Sequence, residues 1–133
     1  MGRMQYSYHV DLNLVELKPI GSISIEESLE YGHSLLDEGV MSRGTVEYVD
    51  MSETTNLAID YRSAQRLVQM LRLWVAQGWT GSVFYAPLDL EFGIMRMVGG
   101  LADALAPDLG IPLITRREPS ALQEVRALVD IPR

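Results

Sequence analysis

The sequence of 133 residues contains no cysteine and only one lysine, Lys18. The lack of cysteine excludes disulfide bonds, thiolate nucleophiles and zinc sites built on sulfur. Basic residues are also scarce: 11 lysine and arginine residues stand against 18 aspartate and glutamate residues, for a net charge of −7. Because an acidic surface repels phosphate backbones, we expect no nucleic-acid partner.

Long hydrophobic runs are missing as well. No apolar run approaches the roughly 18 residues of a membrane-spanning helix, and the first residues lack the apolar region of a signal peptide. We therefore expect no membrane span and a cytoplasmic location. The content of 47% hydrophobic and 22% charged residues is that of an ordinary globular chain, and its length favours a single domain over residues 1–133.

Signatures of catalysis and of cofactor binding are absent too. The sequence has neither of the glycine-rich phosphate loops, G-x-x-x-x-G-K-[ST] and G-x-G-x-x-G, and no G-x-S-x-G nucleophile elbow. Its two histidines, His9 and His33, fall within a predicted strand and a predicted helix. We therefore expect no catalytic residue, no cofactor and no metal ion.

Hydrophobic periodicity and turn signals predict nine elements in the order β-β-α-β-α-β-α-β-α. The strands are predicted at residues 5–10, 14–20, 45–51, 82–86 and 111–115, and the helices at 24–39, 62–77, 87–107 and from 119 onward. Helical crossovers leave successive strands parallel. The predicted fold class is therefore α/β, with a mixed five-stranded sheet whose helices pack mainly on one face.

Two helix boundaries have specific signals. Ser24 and Glu27, three positions apart, match a capping box, and Gly78 ends the second helix. The third helix carries three interior glycines, Gly93, Gly99 and Gly100, each of which costs roughly 1 kcal/mol relative to alanine. Tight packing on the sheet is the simplest explanation, and close approach of a ligand or a second subunit is the alternative.

Three strings carry a resemblance to a known family. They are G-S-I-S-I-E-E (21–27), V-E-Y-V-D-M-S (46–52) and D-L-E-F-G-I-M-R-M (89–97). With them, nearly the whole chain resembles the small bacterial STAS-like proteins, which are related in fold to anti-sigma-factor antagonists (SpoIIAA-like proteins) and to the lipid-binding SEC14 domain. The resemblance implies a STAS-like domain with a regulatory or binding role, and homodimers as a common state.

One feature of the antagonists is not retained. They carry a phosphoacceptor serine in an Asp-Ser-Ser-Gly turn at the start of a helix, where free backbone N–H groups stabilise a phosphate. The equivalent stretch here is Asp60-Tyr61-Arg62-Ser63, in which Ser63 is out of register. This departure argues against a kinase-controlled switch at this turn.

Several candidate ligand- or partner-binding residues lie at or after the end of a predicted strand, because open α/β sheets bind ligands beyond the carboxyl ends of their strands, and others lie in the glycine-rich third helix. The candidates are Asp50, Ser52, Asp60, Arg62, Phe92 and Arg96. Arg96 suits an acidic head group, and the plain alternative is a surface pair with Asp89. Asp60 and Asp89 equally suit helix N-caps.

The apolar arc of the second helix is wider than a single core stripe. This width indicates either a thick core or a partner surface, and the residues that produce it are Met70, Leu73, Trp74 and Trp79.

Three functions remain open from the sequence. The first is a non-enzymatic regulatory or binding module, homodimeric, which contacts a protein or an apolar ligand through the second and third helices. The second is a carrier of a small amphipathic molecule such as a lipid, held by Arg62 or Arg96. The third is a carboxylate-dependent enzyme built on Asp50, Asp60 and Asp89, which requires these side chains to share one cleft.

Overall fold

A computed structural model describes residues 2–130 of the chain. Its strands are β1 (Arg3–His9), β2 (Leu14–Ile23), β3 (Val46–Asp50), β4 (Thr54–Leu57), β5 (Gly81–Tyr85) and β6 (Leu113–Arg116). Its helices are α1 (Ile25–Asp37), α2 (Tyr61–Gln77), α3 (Asp89–Leu105) and α4 (Leu122–Val129), and a short 3-10 turn (Val10–Leu12) joins β1 to β2.

The sheet is mixed, with a parallel centre. Its strands lie in the order β1-β2-β3-β5-β6; β1 pairs antiparallel with β2, and the other neighbours are parallel. Asp50 of β3 pairs with Tyr85 of β5, and Tyr85 pairs with Arg116 of β6. These residues therefore lie at the carboxyl-terminal ends of the parallel strands. The predicted α/β class and the predicted order of these five strands and four helices are confirmed.

A sixth strand, β4, lies between the third predicted strand and the second predicted helix, where the sequence predicts no element. It pairs in parallel with the far end of β2, past an irregularity between Gly21 and Ser22, and Gly21 has a φ of 83°. The buried hydroxyl of Thr54 donates a 2.9 Å hydrogen bond to the carbonyl of Pro19. The residues of β4, T-T-N-L, show no hydrophobic alternation, and the strand forms where β2 bends.

Helices cover the two faces of the sheet unequally. Helices α1, α2 and α3 pack on one face, where their apolar side chains join Val15, Leu17 and Val49 in the larger core cluster. Helix α4 lies on the other face, where Val125 and Val129 contact a smaller cluster from β2, β3 and β5. The helices therefore lie mainly on one face, as predicted.

Two predicted helix boundaries, the start of α1 and the end of α2, are confirmed in detail, whereas α3 and α4 begin two and three residues later than predicted, at Asp89 and Leu122. Ser24 Oγ accepts a hydrogen bond from the backbone N–H of Glu27, and the Glu27 carboxylate accepts one from the N–H of Ser24, both at 3.1 Å. Gly78 ends α2 with a φ of 108°, a left-handed conformation that favours glycine. A Cβ at this position would lie 2.5 Å from Cα of Arg43, so the chain also passes too close for a side chain.

Candidate ligand-binding cavity

The central strand β3 carries a glutamate into the core. Alternation along the strand turns Val46 and Tyr48 toward α4, whereas Glu47 and Val49 line the cavity on the face covered by α1, α2 and α3. Glu47 is only 4% exposed. An ionisable side chain in the middle of a doubly covered sheet requires polar partners, because an unpaired buried charge is very costly.

Both carboxylate oxygens of Glu47 accept hydrogen bonds. The hydroxyl of Tyr31 in α1 donates to Oε2 at 2.5 Å, and Ser82 Oγ in β5 donates to Oε1 at 2.6 Å. Nε1 of Trp79 in turn donates to Ser82 Oγ at 3.2 Å. Side chains from α1 and β5 therefore meet at this carboxylate of β3, and Trp79, which lies between α2 and β5, contacts one of the two donors.

Burial dominates the electrostatics of this group. Desolvation raises the pKa of Glu47, and the hydrogen bonds from Ser82 and Tyr31 oppose that rise without cancelling it. The pKa of Tyr31 is raised as well, first by its own burial and then by the neighbouring carboxylate. Tyr31 therefore keeps its proton and remains a hydrogen-bond donor.

A cavity of about 100 Å³ lies between the sheet and the three-helix layer, beside Glu47. Its polar lining consists of Glu47, Tyr31, Ser82 and Ser28, and the remaining wall is apolar. The apolar lining residues are Met4, Leu17, Pro19, Ile23, Val49, Met51, Leu57, Ile59, Leu67, Met70, Leu71, Trp74, Phe84, Met95, Val98 and Leu113. The arrangement is a mostly apolar pocket whose polar corner is the carboxylate of Glu47 with Tyr31 and Ser82.

Aromatic rings form one side of the cavity and continue into the core. Edge-to-face contacts run from Tyr6 to Tyr31, from Tyr31 to Trp74 and from Trp74 to Trp79, with ring centroids 5.4, 6.1 and 5.3 Å apart. Trp74 Nε1 donates a 3.0 Å hydrogen bond to the carbonyl of Gly32. These contacts hold the rings of Tyr31 and Trp74 in fixed orientations at the cavity wall.

The residues predicted to bind a ligand or partner lie outside this cavity, in three separate pairs. Asp50 Oδ1 accepts a 2.9 Å hydrogen bond from the backbone N–H of Ser52. Asp60 caps α2, with Arg62 close enough to act on its charge, and Phe92 lies beside Arg96. Within residues 2–130, no hydrogen bond or ion pair joins one pair to another.

The carboxylates of the predicted enzyme site each have a different local environment. Asp50 contacts Ser52, and Asp60 accepts a 2.8 Å hydrogen bond from the N–H of Ser63, which lowers the pKa of Asp60. Asp89 forms an ion pair with Arg117. The N-cap role considered for Asp60 is thus confirmed, whereas α3 has Leu88 at its N-cap.

Arg96 does not pair with Asp89, contrary to the surface interpretation. Instead, Arg117, which follows β6, forms an ion pair with Asp89 at 2.5 Å. The guanidinium of Arg117 lies 4.1 Å from the centre of the Phe92 ring. The guanidinium of Arg96 lies 5.8 Å from the same ring. Two cations therefore flank Phe92 at the start of α3.

Two of the glycines in α3 do not pack on the sheet. A Cβ at Gly93 or Gly100 would meet nothing within 4 Å, and at Gly99 it would make only an ordinary contact with Leu113. Tight packing therefore does not explain Gly93 and Gly100. With Leu90, Met97 and Ala104, they form an exposed apolar stripe along α3, the α3 stripe, at spacings of three and four residues.

The wide apolar arc of α2 is mostly core. Met70 and Trp74 are buried, and Trp79, which follows the helix, is buried too. Leu73 is the exception, at 48% exposure. The thick-core interpretation therefore holds for three of these four residues.

Glu47, Tyr31 and Ser82 are the polar residues that sequence reasoning missed. One signal was available: Glu47 is the charged residue inside the apolar run T-V-E-Y-V, which reads as a buried strand. The positions of Tyr31 and Ser82 gave no such signal, because their relation to Glu47 arises only when α1 and β5 pack against β3.

The comparisons with known proteins bear on the fold. The chain is similar to the crystal structure, at 2.25 Å resolution, of an uncharacterised protein of the DUF3478 family with a SpoIIAA-like fold from Shewanella loihica PV-4. The TM-score is 0.55 at 14% sequence identity, over 96% of this chain and 93% of that chain. The chain has a SpoIIAA-like fold. This confirms the STAS-like fold that the sequence predicts.

Other comparisons gave no match. No protein-family model matches the sequence, and no curated protein matches it either.

The described helices and side chains also bear on membrane crossing and metal binding. Between residues 2 and 130, no helix has both the length and the apolar character needed to cross a membrane. In the same range, no group of three or more acidic, histidine or cysteine side chains is arranged to hold a metal ion.

Proposed function

We propose that the protein is a non-enzymatic regulatory or binding module that holds a small apolar ligand between its sheet and the helices α1, α2 and α3. The observation that carries this proposal is the cavity of about 100 Å³ with an almost entirely apolar wall. A SpoIIAA-like fold, which suggests a regulatory or protein-binding role, supports it.

Filling the cavity is energetically favourable for a ligand of suitable size. At about 24 cal/mol per Å³, a void of this volume costs on the order of 2 kcal/mol, which an occupant recovers through contacts with the wall. Apolar cavities of about 150 Å³ bind benzene. The space here therefore suits a molecule of four to six heavy atoms, on the order of benzene or smaller.

Benzene is the direct probe for this proposal. We expect it to shift the indole N–H resonance of Trp74, which lines the cavity, in a ¹⁵N correlation spectrum, and to raise the melting temperature. Val98→Met is the matched control, because its longer, flexible side chain fills the cavity from α3. Equal benzene responses in the wild type and in Val98→Met would contradict binding at this site.

A carrier of a lipid-like molecule receives less support. Arg96 borders a separate cleft of about 240 Å³ between α3 and β6, and neither Arg96 nor Arg62 lines the apolar cavity, so neither is placed to hold the head group of a molecule inside that cavity. The volume also holds far fewer atoms than a membrane lipid has. Native mass spectrometry of protein purified from cells distinguishes the two ideas, because a lipid adduct is several times heavier than a ligand of benzene size.

A second function, homodimerisation, is favoured by the α3 stripe. Leu90 is 58% and Met97 37% exposed, and the glycines beside them leave room for close approach of another helix. Arg96 and Asp103 lie seven residues apart on one flank of the stripe, and neither forms an ion pair within residues 2–130. We propose that a second copy packs its α3 antiparallel on this stripe, with Arg96 of each copy against Asp103 of the other.

Charge reversal tests this arrangement. We expect Arg96→Asp to lower the apparent mass in light scattering from dimer to monomer, since it places two acidic groups together at each end of the contact. The double variant Arg96→Asp/Asp103→Arg restores the opposite charges and should restore the dimer. A wild-type monomer at high concentration, or a double variant that stays monomeric, would contradict the proposal.

A further inference from the structure

We infer that the cavity takes a small organic cation, an apolar amine whose ammonium group contacts the carboxylate of Glu47. This inference rests on the proposed function, because it names the ligand class of the same cavity. It is carried by the juxtaposition of an apolar pocket and a buried carboxylate that has no cationic partner on the pocket wall.

The carboxylate has unused acceptor capacity. An ionised carboxylate offers about four lone-pair sites on its two oxygens. Tyr31 occupies one site on Oε2, and Ser82 occupies one on Oε1. Two sites are thus left without a donor from the described residues, and Glu47 forms part of the cavity wall. In this proposal, an N–H group of the ligand approaches these sites from the pocket that Glu47 borders.

A cation fits this corner better than a neutral donor does. No lysine, arginine or histidine lines the cavity among residues 2–130, so the chain itself does not balance a charge on Glu47 there. Burial disfavours the ionised form of Glu47, and an ammonium group stabilises that form by supplying both the opposite charge and a charge-assisted hydrogen bond. Tyr31 and Trp74 also border the pocket, and aromatic rings attract cations through their ring electrons.

The size of the pocket limits the ligand to a short amine. We therefore choose a branched four-carbon amine such as isobutylamine, whose ammonium group suits the carboxylate of Glu47 and whose methyl groups suit the apolar wall, which includes Val49, Leu71 and Val98. Alkylamines of this kind stay protonated at neutral pH, as the lysine side chain does, with a reference pKa of about 10.4.

The test compares isobutylamine with isobutanol, which has the same shape and a neutral hydroxyl. Both are titrated against the wild type at about pH 8, where the amine is fully charged, and the Trp74 indole resonance is followed. We expect the amine to bind at least about tenfold more tightly than the alcohol. In Glu47→Gln, which keeps the shape of the side chain, we expect the two to bind within about twofold of each other, because the charge is gone.

The possible outcomes separate this inference from the proposed function. If isobutanol binds the wild type as tightly as isobutylamine, or Glu47→Gln retains the amine preference, the cavity binds ligands but is not a cation site. If neither compound nor benzene binds, the proposed function fails as well. The wild-type comparison remains decisive if Glu47→Gln does not fold, and isobutanol binding to the variant shows that its cavity is intact.

Discussion

The hydroxyl of Tyr31 in α1 donates a 2.5 Å hydrogen bond to Oε2 of Glu47 in β3. This bond joins the helix layer to the centre of the sheet at the polar corner of the cavity, in surroundings from which water is largely removed. Hydrogen bonds to a charged group are stronger than neutral ones, and leaving such a group without its partner is costly. The variants below test how this corner and its surroundings contribute to stability.

Glu47→Gln is expected to change how stability depends on pH. Because burial raises the pKa of Glu47 in the folded state, its contribution to stability is fully present below the unfolded pKa of 4.5 and is lost as pH rises through the folded value. Glutamine does not titrate. Over that interval the free energy of unfolding of the variant should therefore rise relative to that of the wild type by up to about 1.4 kcal/mol per pH unit.

Urea unfolding of both proteins at a series of pH values measures this difference. Tyr31 of α1, the titratable neighbour of Glu47, has a raised pKa and stays protonated throughout, and Ser82 of β5 does not titrate. A difference between the two proteins that is constant from acid to neutral pH would contradict a raised pKa at Glu47.

Ser82→Ala is expected to destabilise the fold. The substitution removes the donor to Glu47 Oε1 and leaves the buried indole N–H of Trp79 without its acceptor. We expect the free energy of unfolding to fall by about 1–3 kcal/mol. Ser52→Ala, at an exposed serine, is the control and should change it by less than about 0.5 kcal/mol. Equal effects of the two substitutions would show that the buried network adds no stability.

Alanine at two glycines should act in opposite directions. Gly78 has a φ of 108° and no room for a Cβ beside Arg43, so Gly78→Ala should lower the free energy of unfolding by more than about 1 kcal/mol. Gly100 is helical and faces open space, so Gly100→Ala should raise it by about 0.5–1 kcal/mol. Thermal unfolding at low protein concentration, where contacts between copies contribute little, measures both.

Glu91→Met is expected to stabilise the protein. Glu91 lies on the buried side of α3 at 2% exposure, and its Oε2 has no hydrogen-bond partner within residues 2–130. Replacing it by an apolar side chain of similar length removes an unsatisfied buried group, which is worth about 1–3 kcal/mol. Glu124→Met, at an exposed position of α4, is the control. A loss of stability in Glu91→Met alone would mean that this carboxylate has an essential partner.

Features with a local cause could be predicted from the sequence. The capping box of Ser24 and Glu27 and the end of α2 at Gly78 depend on residues a few positions apart, and both are confirmed. Strand β4 was missed because its polar residues pair only with the bent end of β2, 33 positions earlier at Gly21↔Thr54. Likewise, the partner of Asp89 is Arg117, 28 residues away, and not Arg96 on the same helix.

The candidate site also combines one feature visible in the sequence with others that depend on distant residues. Glu47 stands out in the sequence as a charge in an apolar strand, but Tyr31 and Ser82 lie 16 residues before it and 35 residues after it. Hydrophobic periodicity, capping residues and glycines act over one or two turns of chain, so the sequence by itself determined the elements, their order and the α/β class. Only the tertiary structure decided that α1, β3 and β5 bring one buried carboxylate and its two donors to the wall of a cavity, because such a space depends on how side chains from distant segments fill volume together.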